Sequence, residues 1–168
     1  MFKFFRHLRY RKMISVSSSF ILDELANLID QCISEFEKTG KVKIPLHKEV
    51  LKFESTALVF WSFRVSDIFP KPMHRLLLDK IHDQYYGRLK KHGYNNQLVQ
   101  TICNKLNLRY RTYDGLKSES DFSKVGARFA RFVSEEAKTD LDAHEINFAL
   151  SLLKQTTDKF AEFRKVMA

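Results

Sequence analysis

The chain has 168 residues, which is enough for one domain whose hydrophobic core needs no disulfide or metal to hold it together. Its five glycines and three prolines are too few for an all-β fold, which needs a turn roughly every eight to twelve residues, and they leave no glycine-rich phosphate loop. Fifteen Phe, six Tyr and one Trp supply the apolar surface that disordered chains lack. We therefore predict an all-α fold, a single compact, bundle-like domain of about six helices with a basic N-terminal arm.

The chain carries 29 basic and 20 acidic residues, a formal net charge of +9, and the excess is concentrated in two places. Residues 1–12 contain five basic residues and no acidic ones, and residues 86–131 contain ten basic and three acidic ones. Such clusters attract nucleic acid, anionic lipid or the acidic face of a protein. A solvated surface that only keeps the protein in solution is the alternative explanation.

The basic, aromatic arm is predicted to span residues 1–18, and the all-helical domain residues 19–168. Around a helical projection of the arm, the apolar and basic residues are mixed rather than separated into two faces, so we expect no membrane contact. Three roles stay open for residues 1–12: a flexible arm that contacts a partner, a targeting segment, or a start-site artefact if Met13 is the true first residue.

The first helix is predicted from Ser19, as its N-cap, to Lys38, and Gly40 supplies the left-handed residue that often ends a helix. Cys32 lies in its apolar stripe, and the second cysteine, Cys103, lies in the stripe of the fourth helix. Thiols in apolar helical patterns are more typical of buried side chains than of a disulfide. We therefore expect a reducing, intracellular environment, with the cytoplasm as the default location.

The second helix, residues 45–69, contains the densest apolar block of the chain at residues 57–63, and the prolines of residues 70–72 end it. A buried strand is the alternative for this block, but its helical flanks favour a helix. A helix that is apolar on every side is either central in the core or shared with another subunit. Our leading hypothesis is therefore a non-enzymatic binding or regulatory module that assembles with itself or with another protein. The candidate interface residues are Phe60, Trp61 and Phe63.

The third helix is predicted from Met73 to Lys91, with Gly93 as its cap, and it carries the adjacent pair His82 and Asp83. Such a pair can, with further His and Asp ligands, hold a divalent metal that activates water, so a metal-dependent phosphohydrolase is the third hypothesis. An ordinary half-exposed helix face explains two residues equally well, and no recognised catalytic or metal-binding motif occurs in the sequence. We predict no cofactor. The further ligands that the sequence offers are His47, His74, Asp140 and Asp142.

The fourth helix is predicted from Asn95 to Tyr113, and the fifth begins after Ser120 with Asp121 in its first turn. Residues 109–113 alternate cations with aromatic rings. Because cations neutralise phosphates and rings stack on unpaired bases, nucleic-acid binding through residues 86–131 is our second hypothesis, and the same residues can hold an acidic partner. The candidate residues are Arg88, Lys90, Lys91, Lys105, Arg109, Arg111, Tyr113, Lys124, Arg128 and Arg131.

The sixth helix is predicted from Asp142 to the C-terminus, because Asp142 and Glu145 have the spacing of a capping box. In the fifth helix, Gly126 costs about 1 kcal/mol relative to alanine, which favours a close helix crossing at that position. No internal repeat, low-complexity tract or linker divides the chain.

Overall fold

The computed structural model describes residues 2–42, 44–116 and 122–167, with side chains for residues 12–166 within these ranges. The chain is 85% helical and forms one compact domain, so the all-α prediction is confirmed. The described ranges contain no strand, and the strand alternative for residues 57–63 is wrong. The helices are α1 (Phe2–Lys38), α2 (Pro45–Val65), α3 (Lys71–Lys91), α4 (Asn96–Asp114), α5 (Ser123–Ala137) and α6 (Ala143–Met167).

Helix α2 is the centre of the bundle and packs against each of the other five helices. Its apolar block explains this position, because Leu58, Phe60, Trp61 and Phe63 need an apolar environment on every side of the helix. Each of these four side chains is at most 1% exposed. Burial of one such side chain contributes about 1.5–3 kcal/mol. Helices α1, α3, α5 and α6 enclose α2, and α4 packs on α2 and α3.

Helix α1 begins at Phe2, far upstream of the predicted N-cap Ser19, so that boundary is wrong. The serines of this region lie within the helix instead of capping it. The hydroxyl of Ser18 donates to the carbonyl of Ser15 at 2.9 Å, which satisfies it inside the helix. Among the described side chains, the buried stripe of α1 begins at Ile14.

The prolines of residues 70–72 separate α2 from α3, but the two boundaries differ from the prediction. Helix α2 ends at Val65 rather than residue 69, because Ser66 turns back and its N–H and Oγ both donate to the carbonyl of Phe63, at 3.1 and 2.7 Å. Helix α3 begins at Lys71 and contains Pro72 in its first turn. A proline is favourable there because its missing N–H has no helical acceptor.

Several helix ends agree with the prediction. The Oδ1 atom of Asn95 accepts from the N–H of Leu98 at 2.9 Å and caps α4. Gly40 and Gly93, which follow α1 and α3, have φ angles of +71° and +90°, a conformation in which a side chain is strained. The predicted start of α5 at residues 120–121 lies outside the described residues.

Helices α5 and α6 pack closely at Gly126, as predicted. A Cβ atom at Gly126 would lie 3.2 Å from Cδ2 of Leu150 and 3.5 Å from Cγ2 of Ile146. At the start of α6, Oδ1 of Asp142 accepts from the N–H of His144 at 2.9 Å, so Asp142 caps that helix. No helix in the described ranges is both long and apolar enough to cross a lipid bilayer.

Candidate functional site

The structure divides the candidate residues of segment 86–131 into separate groups, and Arg109 belongs to the core. Arg109 is 4% exposed and holds the carboxylate of Glu54, a residue of α2 that is 0% exposed. Its Nε donates to Oε2 at 2.8 Å and its Nη2 to Oε1 at 2.7 Å. The prediction that Arg109 contacts an external anion is therefore wrong. Loss of either ion would leave the other buried and unpaired, so the pair fastens α4 to α2.

Lys105 is committed to the same ionic network. Glu136 of α5 lies 3.3 Å from Nη2 of Arg109 through one oxygen and 2.8 Å from Nζ of Lys105 through the other. The hydrogen bond from Lys105 lowers the pKa of Glu136. Burial acts to lower the pKa of Arg109, but the hydrogen bond and charge of Glu54 outweigh it and raise that pKa. Burial raises the pKa of Glu54, although the hydrogen bond and charge of Arg109 act to lower it. The network connects α2, α4 and α5.

Arg88 and Tyr113 also make contacts that stabilise the fold. Nη1 of Arg88 lies 2.7 Å from a carboxylate oxygen of Asp23, which joins α3 to α1 at the surface. Tyr113 is completely buried, with its ring centroid 5.4 Å from that of Trp61 and 6.1 Å from that of Phe132. A buried ring cannot stack on a base, so the predicted contact of Tyr113 with nucleic acid is wrong.

Lys90 and Lys91 are exposed near the end of α3. Lys90 lines an open cavity of about 590 Å³ between α3 and α4, together with Asp83, Tyr86 and Cys103. Lys90 and Asp83 are the charged residues in this lining, so their charges offset each other. The cavity therefore has no excess of positive charge.

The remaining four candidates come together. Arg111, Lys124, Arg128 and Arg131 line one open cavity of about 600 Å³ where the end of α4 meets the start of α5. We call this cavity the cationic pocket. The other residues of its lining are Thr112, Gly115, Leu116 and Ala127.

Local sequence explains how three of these cations share a face. Lys124, Arg128 and Arg131 are four and three residues apart, which places them on one side of α5, while Phe129 and Val133 on the other side are buried. The fold then adds Arg111, from the last turn of α4, to the row. Only the α5 spacing is visible in the sequence, because the approach of α4 depends on tertiary packing.

The start of α5 is an unfavourable place for cations. The N-terminal end of a helix carries a partial positive charge, which acidic side chains usually offset. The first turn of α5 contains no acidic residue and includes Lys124. Within residues 2–116 and 122–167, as far as these are described, the lining of the cationic pocket contains no acidic residue either. A bound anion would therefore interact favourably with the helix end as well as with the side chains.

Arg128 packs against an aromatic ring, although it has no ionic partner among the described residues. Its guanidinium carbon lies 4.4 Å from the centroid of the Phe132 ring, a cation–π distance. Its Nε atom is buried and has no hydrogen-bond acceptor. A buried donor without an acceptor costs about 1–3 kcal/mol. Within the described part of the chain, none of the four pocket cations forms an ion pair.

The interface candidates Phe60, Trp61 and Phe63 are all enclosed by the chain's own helices. Nε1 of Trp61 donates to Oδ1 of Asp114 at 2.9 Å, which satisfies its one polar atom inside the domain. The interface prediction required part of this block to be exposed. That requirement is not met, because α2 is central rather than peripheral.

His82 and Asp83 do not converge on a metal site. Nδ1 of His82 lies 2.9 Å from the carbonyl of Leu78, and its Nε2 lies 2.7 Å from the hydroxyl of Tyr110, so both ring nitrogens already have partners. Burial lowers the pKa of His82, which favours the neutral ring. Asp83 is exposed on the cavity between α3 and α4.

The further ligands suggested by the sequence are elsewhere. Nε2 of His47 lies 2.9 Å from a carboxylate oxygen of Glu145, and His74 stacks on Phe63 with ring centroids 4.8 Å apart. The described residues contain no cluster of three or more His, Cys, Asp or Glu that could hold a metal ion.

Sequence reasoning missed an exposed apolar stripe on α1. Met13, Val16 and Phe20 are 47%, 62% and 45% exposed, and their spacing places them on one face of the helix. Phe20 packs edge-on against Phe163 of α6, with ring centroids 5.9 Å apart. The three- and four-residue spacing could have revealed the stripe, but residues 1–18 were assigned to an arm rather than to a helix.

No protein family, curated protein or solved structure matches this chain. The function of the chain must therefore be inferred from its own residues. Among the sites that the structure describes, the cationic pocket is the strongest candidate.

Proposed function

We propose that this protein is a non-enzymatic binding module and that its cationic pocket binds the phosphate groups of nucleic acid. The observation that carries the proposal is the convergence of four cations from two helices on one cavity, with no acidic residue among the lining residues that the structure describes. Arginine guanidinium groups suit phosphate because they form paired, charge-assisted hydrogen bonds with its oxygens. The formal net charge of +9 adds long-range attraction toward a polyanion.

The chemistry of the lining supports binding rather than catalysis. Apart from the cations, the cationic pocket contains Gly115, Leu116, Ala127 and Thr112. The hydroxyl of Thr112 donates to the carbonyl of Leu108 at 3.0 Å, as in an ordinary helix. The described part of the lining thus includes no carboxylate, imidazole or thiol that could act as a general base or nucleophile near neutral pH.

Nucleic acid is favoured over an acidic protein because the cationic pocket has few apolar anchors. Protein interfaces usually centre on buried aromatic or large aliphatic side chains. Leu116 is the one large apolar residue in this lining. Tyr110 and Tyr113, the rings nearest to Arg111 in sequence, are buried, and Phe122, which is 38% exposed, is not among the described lining residues. We therefore expect contacts with the phosphate backbone and little discrimination among base sequences.

A binding assay with a charge-matched control tests the proposal. Fluorescence anisotropy would measure the Kd of the full chain for a labelled DNA duplex at low salt. The test variant is R111Q/K124Q/R128Q, which removes three charges from the cationic pocket. The control variant is K154Q/R164Q/K165Q, which removes three charges from exposed residues of α6.

We expect the pocket variant to lose at least about tenfold in affinity, because three charge-assisted contacts disappear. The control should lose much less, since it changes only the net charge of the protein. Equal losses in the two variants would mean that binding is non-specific attraction to a basic surface. Undetectable binding of the unmodified chain at low salt would exclude the proposal.

A second candidate function is self-assembly, favoured by the exposed stripe Met13, Val16 and Phe20. We propose that a second copy of the chain covers this stripe in an antiparallel arrangement. The sequence of α1 supports that choice, since residues 1–12 carry five basic and no acidic residues, whereas residues 13–37 carry five acidic and no basic ones. Antiparallel pairing brings these opposite charges together.

Light scattering after size-exclusion chromatography tests self-assembly. The unmodified chain should form a dimer at micromolar concentration, and V16E should be monomeric, because a carboxylate would be buried without a partner. A matched change on the same helix, N27E, alters an exposed polar position and should leave the dimer intact. A strict monomer for the unmodified chain would contradict this second function.

A further inference from the structure

We infer that the cationic pocket receives the terminal phosphomonoester of a nucleic-acid strand rather than an internal phosphodiester. The inference rests on the proposed function, because it specifies which phosphate of the nucleic acid enters the pocket. The inference is based on the density and arrangement of charge around one small cavity, and on the contact of Arg128 with the Phe132 ring.

The charge that the described residues bring to the cationic pocket exceeds what one phosphodiester can neutralise. Four cations line about 600 Å³ of space, and none of the other described lining residues is acidic. An internal phosphodiester carries one negative charge, whereas a terminal phosphomonoester carries about −1.5 to −2 near neutral pH. The terminal group therefore compensates more of the positive charge within the same volume.

The geometry of the donors also matches a terminal group. Arg111 approaches from α4, while Lys124, Arg128 and Arg131 approach from α5. In a phosphodiester, two of the four oxygens continue into the strand, so only two can accept hydrogen bonds fully. A phosphomonoester presents three terminal oxygens. Donors that arrive from two helices can use the third oxygen as well.

Arg128 is suited to position such a group. The Phe132 ring supports its guanidinium at 4.4 Å, while Arg109 lies against the same ring, 3.5 Å from its centroid. Arg109 is neutralised by Glu54, whereas Arg128 has no ion pair among the described residues. A phosphate in the cationic pocket would provide the counter-charge that the described residues do not give Arg128.

Among the described lining residues, none is aromatic and able to favour the base next to the terminal phosphate. Recognition should therefore depend on the state of the strand end and not on the neighbouring base. A mononucleotide or inorganic phosphate shares the same phosphate chemistry but lacks the adjacent backbone charges. Those charges should strengthen the binding of a strand, because they interact with the basic surroundings of the pocket.

The test compares DNA duplexes of one sequence that differ only at their ends. Four forms are needed: 5′-phosphorylated, 3′-phosphorylated, hydroxyl-ended, and covalently closed at both ends. Binding of the full chain is measured by anisotropy with an internal fluorophore. Inorganic phosphate and a nucleoside monophosphate serve as competitors. The variant R128Q tests the positioning residue, and K154Q, on the exposed surface of α6, is its matched control.

We expect at least one phosphorylated form to bind about tenfold more tightly than the hydroxyl-ended and closed forms, the effect of one added charge-assisted contact. R128Q should abolish this preference, and K154Q should retain it. Equal affinity for all four forms would overturn the inference while leaving nucleic-acid binding intact. Competition by inorganic phosphate at the Kd of the phosphorylated duplex would assign the site to small phosphates instead. Failure to bind any form would exclude the proposed function itself.

Discussion

The guanidinium of Arg128 lies over the ring of Phe132, and its carbon atom is 4.4 Å from the ring centroid. Phe132 is itself 5% exposed and packs against Tyr113 in the core. The Phe132 ring thus lies between the core and Arg128, whose Nε is buried and has no acceptor among the described residues. Arg128 is held ready for a ligand and need not be ordered when one binds, which reduces the entropic cost of binding.

Replacing Phe132 by leucine should weaken DNA binding severalfold. Leucine keeps most of the apolar volume but removes the cation–π contact, which is worth about 0.5–2 kcal/mol. The Kd from anisotropy and the free energy of unfolding from urea titration should be measured together. Phe160→Leu is the control, since that ring is equally buried but packs against Phe63 and Phe163. If both variants bind DNA like the unmodified chain, Phe132 does not position Arg128.

The buried pair of Arg109 and Glu54 should dominate the effect of substitutions in α4. Arg109→Met leaves the Glu54 carboxylate buried without its cation, and we expect a loss of about 3–5 kcal/mol in the free energy of unfolding. The double variant R109M/E54M should be much less destabilised than R109M alone, because neither charge then remains. Additive losses in a double-mutant cycle would show that the two side chains stabilise the fold independently.

Two helix glycines should respond differently to alanine. Gly87 of α3 has open space around it, so Gly87→Ala should raise the free energy of unfolding by about 0.5–1 kcal/mol through helix propensity. At Gly126 the new Cβ atom would lie 3.2 Å from Leu150, and the gain in propensity is offset by the displacement of that side chain. Gly126→Ala should therefore stabilise the protein less than Gly87→Ala. Equal gains would indicate that α5 and α6 do not pack closely at this position.

His82 should make the protein less stable in mild acid. Burial lowers its pKa in the folded state below the ordinary value of 6.5, so the unfolded chain takes up a proton first as the pH falls. The stabilising contribution is present above pH 6.5 and is lost as the pH falls from there toward the folded-state pKa. In His82→Gln, the free energy of unfolding should depend less steeply on pH across this interval. Parallel pH profiles for the two proteins would contradict the assignment.

The helices of this fold could be predicted because the apolar residues of each buried face recur at helical spacing within that helix's own sequence. The stripe of α5 and the caps at Asn95 and Asp142 depend on residues within one or two turns. Ion pairs between helices have no comparable sequence pattern. Arg109 pairs with Glu54 on another helix, and Arg88 with Asp23, only after the bundle has assembled. The cations of residues 86–131 therefore resemble one surface in the sequence, although three of them, Arg88, Lys105 and Arg109, form ion pairs within the fold.

Part of the candidate site could be predicted from the sequence, because it depends on spacing within one helix. The spacing of Lys124, Arg128 and Arg131 indicates a shared basic face, and all three are among the predicted residues. The contribution of Arg111 depends on how α4 approaches α5. The stripe on α1 was missed because the predicted N-cap at Ser19 excluded Met13 and Val16 from the helix.

The salt dependence of DNA binding tests the central claim most directly. Each phosphate contact contributes about −0.9 to the slope of log K against log salt concentration on a DNA duplex. We predict that R111Q/K124Q/R128Q reduces the magnitude of the slope by at least about 1 relative to the unmodified chain, because the cationic pocket no longer neutralises a phosphate. The control K154Q/R164Q/K165Q should keep nearly the full slope. An unchanged slope in the pocket variant would show that phosphates bind elsewhere on the protein.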